Sequence, residues 1–291
     1  MSVYVLEVKD FISMLMDFDV WMKKINNLEK DDRLCFNLSG VKFINTEALI
    51  VLVTASKLAY DKSLKNVLWD QLKPEVYSYL ERVDVTRIRF ISIKRPASAK
   101  KFNRAVTQSN NLVELSIIGN WKDIGDAIKK TKGVLNRWFP NKSADYHRKV
   151  ITLIKETVEN SIDHSGEHPN EGFCYYAVQK YEHSDGKVEI FIAVGDIGVG
   201  MLASLRRVYP DTKDDAAAIV GALIDGKSGR ESGRGGLGYV TIKETLADLK
   251  GQLTIRSGKA AVKYSSLRCV PQVYRKKTFY PGTQIIFRCR G

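Results

Sequence analysis

Glu156, Asn160 and His164 are spaced i, i+4 and i+8, which places them on one stripe of a helix. Ile154, Val158 and Ile162 form a second stripe two residues out of phase, on the opposite face. One side of such a helix packs while the other holds a carboxylate, a carboxamide and an imidazole in a row. An asparagine oxygen suits a hard cation such as Mg²⁺. A carboxylate one turn away suits the orientation or deprotonation of a water or hydroxyl. A solvated polar face has the same pattern, so the stripe alone leaves both readings open.

Asp196 follows an apolar strand and is followed by Gly198 and Gly200. A carboxylate at a strand end can accept hydrogen bonds from an exocyclic amine, and glycines beside it let a flat ring approach the backbone. An ordinary Asp-Gly turn has the same form. Further on, Gly229 to Gly238 is glycine-rich and runs into a helix. Such a junction offers backbone N–H groups to phosphate oxygens, and Lys227, Arg230 and Arg234 would add charge. The loop lacks the Gly-Lys-Ser/Thr ending of a Walker loop and comes too late for a dinucleotide fingerprint. A flexible linker is the alternative. Pro281-Gly282-Thr283 opens the final strand and says little by itself.

These residues need elements to hold them. The first 95 residues alternate strand and helix patterns: strands at 3–8, 33–38, 66–69 and 87–93, and helices at 10–27, 46–60 and 74–83. That alternation predicts an α/β layer domain. Residues 94–111 are basic and polar, which predicts a boundary, with domains at 1–105 and 106–291. The second part predicts a strand at 112–118, helices at 121–138 and 144–163, and a hairpin at 172–194 turning at Ser184-Asp185-Gly186. Then comes a long stretch of 196–238 with one helix near 214–223. A helix at 239–249 and strands at 252–256, 261–265 and 284–288 follow. The expected fold is an α/β sandwich with a mixed sheet.

The 291 residues carry a net charge of +13, with 44% apolar and 10% aromatic content, which excludes a disordered or fibrous chain. The excess is concentrated in two acid-free stretches, 85–113 and 251–291. Nucleic acid, an anionic membrane or a phosphorylated ligand are the partner classes this first suggests. Along the closing strands, Arg256, Arg268, Arg275 and Arg288 alternate with apolar residues and are expected to face solvent. Tyr264, Tyr274 and Tyr280 interleave with them, which would permit stacking on bases. No stretch is apolar enough to span a membrane, and charges near the start argue against a signal peptide. The four cysteines form no metal-ligand spacing and read as buried free thiols in a reducing cytosol.

The order of the motifs is more specific than any one of them. Glu156/Asn160, Asp196-x-Gly198-x-Gly200, Gly233-x-Gly235-Gly236-Leu237-Gly238 and Gly282-Thr283 together resemble the four boxes of the GHKL ATPase superfamily. The resemblance spans roughly residues 110–291. It implies a Bergerat-type two-layer α/β sandwich binding ATP and Mg²⁺. Glu156 would be the catalytic carboxylate and Asn160 the Mg²⁺ ligand. Asp196 would accept from the adenine amine with help from Thr283, with Gly198 and Gly200 near the ring. Gly233, Gly235, Gly236, Leu237 and Gly238 would wrap the phosphates, and residues 201–234 would be a mobile lid. The role of His164 stays open. The form of the Glu156–His164 helix is similar to anti-sigma-factor serine/threonine kinases. His147 is followed by Arg148, which does not suit a sensor kinase. The chain stops eight residues past Thr283, so a clamp ATPase needing a further domain is not expected.

Residues 34–49 resemble the central segment of STAS domains, with Thr46 where that family carries its phosphorylated residue. Asn45 and Ala48 depart from the usual Asp and Gly, and Thr46 could equally start or cap a helix. The combined expectation is a cytoplasmic ATPase or serine/threonine kinase in a signalling or partner-switch system, with a protein partner or a second copy of the chain. The alternative is a non-catalytic, ATP-gated binding module whose basic surface meets nucleic acid or an acidic protein.

Overall fold

The computed structural model describes residues 2–9, 12–16, 18–99, 112–165, 174–229 and 237–291. The N-terminal part builds β1 (Val3–Glu7), α1 (Asp19–Asn26), β2 (Arg33–Asn37), α2 (Thr46–Ser63), β3 (Val67–Asp70), α3 (Pro74–Arg82) and β4 (Ile91–Ile93). The four strands form a parallel sheet in the order β1-β2-β3-β4, so each helix serves as a crossover. Two expectations change here. Residues 12–16 are not helical, and α1 starts only at Asp19. The strand expected at 87–93 shrinks to Ile91–Ile93, because Val85–Arg87 forms a 3-10 turn.

Helix α2 is apolar on nearly every side: Ala48 to Lys57 are all buried. A helix with no polar face must be covered all round. Its N-terminus is fixed by Asn45, whose side chain accepts the Ala48 N–H at 2.7 Å. Thr46 therefore starts the helix rather than capping it.

The C-terminal part runs β5 (Leu112–Ile118), α4 (Trp121–Trp138), α5 (Ala144–Ser165), β6 (Cys174–Glu182), β7 (Val188–Gly195), α6 (Gly200–Arg206), α7 (Asp215–Asp225), α8 (Leu237–Asp248), β8 (Gln252–Ser265) and β9 (Gln272–Arg290). Helix α4 starts on a capping box, Asn120 with Asp123. The sheet order is β5-β6-β7-β9-β8, with every described pairing antiparallel, so this sheet is not mixed. The α/β class stands, with one parallel and one antiparallel sheet. The three closing strands of the sequence reading are two long ones, joined around a bulge at Ser257–Ala260. The β6–β7 hairpin turns through Gly186 at φ +77°.

Both faces of the antiparallel sheet are buried, and the alternation along each strand sorts side chains between them. Tyr176, Val178, Ile192, Val194, Ile255, Ile285 and Phe287 share a core with α4, α5, α7 and α8. Tyr175, Ala177, Ala193, Tyr280 and Ile286 share a second core with α1, α2 and the parallel sheet. Helix α2 is thus held between the two sheets.

That second core overturns one reading of the basic closing strands. Arg256 is 1% exposed. Its guanidinium donates to the carbonyls of Met16 (2.8 Å), Met14 (3.3 Å) and Thr278 (3.3 Å) and lies over the rings of Phe18 and Tyr280. The tyrosines divide likewise: Tyr264 and Tyr280 are buried. Arg268, Arg275 and Arg288 are exposed as expected, and Lys259, Lys277 and Arg290 are exposed with them. Cys35, Cys174 and Cys289 are buried thiols, whereas Cys269 is exposed. Among the described residues no helix is long and apolar enough to cross a membrane.

Candidate functional site

Asp196 sits at the end of β7, on the face shared with Ile192 and Val194. Its backbone N–H donates to the Thr283 carbonyl at 2.9 Å. Its Oδ1 accepts from the Gly198 N–H at 2.9 Å and from the Thr283 N–H at 3.1 Å. The carboxyl is nearly sealed from solvent, at 5% exposure. Burial pushes its pKa up to about 7, against the pull of hydrogen bonds from Gly198, Thr283 and Ser161. A side chain poised between charged and neutral near pH 7 responds strongly to any donor placed against it.

The glycines here have steric reasons. Gly282 has φ +74°, and a Cβ on it would fall 2.1 Å from the Asp196 carbonyl oxygen. Gly200 has φ +79° and stands against the Ser257 hydroxyl. That hydroxyl accepts from Met201 N–H at 2.9 Å and donates to the Gly282 carbonyl at 3.0 Å. So the start of α6 and the start of the closing stretch of β9 are tied together beside Asp196.

Helix α5 carries the second half of the site. Ile154 and Val158 are buried in the core, and Ile162 packs against it. Glu156 and Asn160 lie on the other side, both partly exposed. The first turn of α8 sits directly on them. A Cβ on Gly238 would lie 3.2 Å from Glu156 Oε2 and 3.3 Å from Asn160 Nδ2. Asn160 Nδ2 is buried and has no hydrogen-bond partner among the described residues. A buried amide nitrogen left without an acceptor beside a cavity is a feature that a ligand acceptor would relieve.

These parts open onto one pocket, with a cavity volume of about 70 Å³. Thr157, Asn160 and Ser161 of α5, Asp196, Gly200 and Met201, Gly238 and Tyr239, and Thr283 all line it. The far wall is Ser204 and Leu205 of α6, Ala218 and Ala222 of α7, and Lys227 to Gly229. Apolar walls with a few convergent polar groups are the usual make-up of a small-molecule site.

The structure thus brings Asn160, Asp196, Gly200, Gly238 and Thr283 to a single cavity. Gly198 touches Asp196 from one side, and Glu156 reaches Gly238. Gly233, Gly235 and Gly236, with Arg230, Arg234 and His168, lie outside the described residues. Leu237 opens α8. Of the expected lid, residues 201–234, the part described to residue 229 holds α7, near the one helix expected there, and most of α6, which was not expected. Asp214 caps α7, accepting from Ala217 N–H at 2.8 Å, and Gly229 abuts Ser204. Helix α6 escaped sequence reading because seven residues give too few turns for a period. Ser161, Met201, Ser204 and Tyr239 were also missed as pocket residues, since each is an ordinary helical residue until the tertiary fold aims it.

Thr46 is 1% exposed. Its backbone N–H and its hydroxyl both lie 3.3 Å from the Tyr181 hydroxyl of β6. Among the described residues no group of three or more His, Cys, Asp or Glu is arranged to hold a metal. A scan of the chain against protein-family models matches none of them. No curated protein matches the sequence either.

Proposed function

We propose that this chain is a Mg-ATP-binding protein of the GHKL type that hydrolyses ATP or passes its γ-phosphoryl group to a protein, as a cytoplasmic signalling or partner-switch component. One observation carries the reading. The buried Asp196 carboxyl and Asn160, whose buried Nδ2 has no hydrogen-bond partner among the described residues, line the same cavity with Gly238 and Tyr239 of the first turn of α8.

Asp196 accepts the exocyclic amine of adenine, and Gly198, Gly200 and Thr283 border the ring. The first turn of α8 would offer backbone N–H groups to phosphate oxygens. Asn160 would hold Mg²⁺ through its carboxamide oxygen, and the ion would supply charge neutralisation for phosphoryl transfer. Glu156 takes the proton of the attacking water or hydroxyl. Phosphoryl transfer asks for little covalent chemistry from the protein, so positioning and electrostatics suffice.

The test uses γ-labelled ATP with Mg²⁺. Label appearing as free phosphate marks an ATPase, and label on protein marks a kinase. Binding without either marks a nucleotide-gated module, and no binding removes the reading. The partner surface has its own support. Lys259, Arg268, Arg275 and Lys277 are exposed on the β8–β9 hairpin, whose tip also presents Leu267 and Val270. Such a surface suits an acidic protein or nucleic acid. Affinity that falls steeply with salt supports contact with nucleic acid, and no binding at low salt ends it.

A further inference from the structure

The tip of the β8–β9 hairpin holds a second cavity, of about 250 Å³, that shares no lining residue with the Asp196 pocket. Lys263 and Arg268 supply its cations, Leu267 and Val270 its apolar walls, and Gln252 and Gln272 its neutral polar groups. A tight turn fixes this groove. The Ser265 carbonyl accepts the Arg268 N–H at 3.1 Å and the Cys269 N–H at 2.9 Å, with Cys269 left-handed at φ +56°. The Ser266 N–H donates to the Gly251 carbonyl at 3.1 Å, which holds the tip against the start of β8. Arg268 and its apolar neighbours are therefore placed before any partner arrives, which lowers the ordering cost of binding.

The chemistry of the groove is one-sided. Residues 251–291 contain no acid. Arg275, further along β9, lies 3.4 Å from Asp214, but among the described residues neither Lys263 nor Arg268 makes an ion pair. Glu47, whose carboxylate feels the field of Lys263, is itself bonded to the Ser13 hydroxyl at 2.9 Å and the Met14 N–H at 2.5 Å. Leu267 and Val270 are 65% and 66% exposed, so large apolar side chains stand in water beside cations without a counter-charge. Nucleic acid suits this surface poorly. Tyr264 is buried, and among the described residues no aromatic ring lines the groove for a base to stack on.

We propose that the groove docks an acidic segment of a partner protein. A carboxylate of that segment pairs with Arg268 and Lys263, and a neighbouring apolar side chain covers Leu267 and Val270. Arginine offers a carboxylate two parallel donors, and the lysine adds a second charge. The proposal names the partner chemistry of the hairpin and rests on reading the hairpin as a partner surface, not on the nucleotide reading of the Asp196 pocket.

The test measures affinity on the full chain at low salt, without nucleotide. Its probes are a labelled peptide alternating Glu with Leu, the same peptide with Gln for every Glu, and labelled oligothymidylate. The Glu-Leu peptide is expected to bind, and its Gln form to bind about tenfold more weakly or worse. Arg268→Gln should weaken the Glu-Leu peptide about tenfold and flatten its salt dependence. Leu267→Ser should weaken it about fivefold with the salt dependence kept. Lys122→Gln, exposed on α4, removes the same charge elsewhere and should leave affinity unchanged. Circular dichroism checks that each variant is folded, and the comparison of the two peptides needs no variant. Equal weakening in Lys122→Gln marks general charge attraction and overturns the docking site. Oligothymidylate bound without the peptide overturns the acidic partner and keeps the hairpin as a partner surface. Binding of no probe overturns the proposal and the surface reading together, while the outcome with labelled ATP stands apart from both.

Discussion

The carboxylate of Asp196 accepts the backbone N–H of Thr283 at 3.1 Å, while the Thr283 carbonyl accepts the N–H of Asp196 at 2.9 Å. The side chain thereby continues the β7–β9 ladder one step past its last backbone pair. A pocket residue is also a structural clasp, so changing it has two separable consequences.

Asp196→Asn keeps the shape and removes the charge. Burial raises the folded-state pKa from 3.8 to about 7. Between those values the native state binds more protons than the unfolded state. Asp196 therefore favours the fold at low pH, and that contribution is lost as pH rises through about 7. At pH 8 the charged group costs about 4 kcal/mol, so Asp196→Asn is expected to be more stable there and less dependent on pH. Urea melts from pH 4 to pH 8 measure this. An unchanged pH profile would rule out Asp196 as the source.

Ligand binding moves the other way. A donor from the ligand favours the carboxylate, so affinity is expected to fall about tenfold from pH 8 to pH 6 in the unaltered chain. Asp196→Asn should bind weakly at both. Calorimetry in buffers of different ionisation enthalpy also reads the proton released on binding.

Gly282→Ala places a side chain at φ +74° and drives its Cβ to 2.1 Å from the Asp196 carbonyl oxygen. A loss of about 2 kcal/mol or more is expected, together with loss of the pocket. Gly186→Ala is the control. It also has positive φ, but a Cβ there meets nothing within 4 Å. It should lose only the backbone cost of about 1 kcal/mol.

Glu156 and Asn160 share a helix face but should separate kinetically. Glu156→Ala is expected to lower turnover about 100-fold or more while leaving ATP affinity within about threefold. Asn160→Ala should lose about tenfold in affinity with Mg²⁺ present, and less with the metal chelated. Equal losses in both conditions would remove the metal role. Unchanged turnover in Glu156→Ala would remove the base.

Arg256→Ala strips the carbonyls of Met14, Met16 and Thr278 of a donor and empties the space between Phe18 and Tyr280. A loss of about 2–4 kcal/mol is expected in chemical denaturation. A surface arginine engaged with a partner would instead give an unchanged Tm and a lower salt slope for binding.

The sequence by itself determined the local features whose causes are local. The 3.6 period gave α4 its bounds, and it set Glu156 and Asn160 opposite Ile154 and Val158. A strand period of two placed Asp196 at the end of an apolar run, and Asp185-Gly186 marked the hairpin. Tertiary structure decided what each strand face meets. Alternation along β8 reads as core and solvent only while one face is wet. Here the second face is covered by α1, α2 and the segment 12–16, so Arg256 is buried by the same parity that seemed to expose it. The same cover explains α2, whose apolar run has no solvent side. No local rule could show that Gly195 and Asp196, one peptide bond apart, would serve a helix on one side and a pocket on the other. That depends on two sheets, distant in sequence, closing on the same helix.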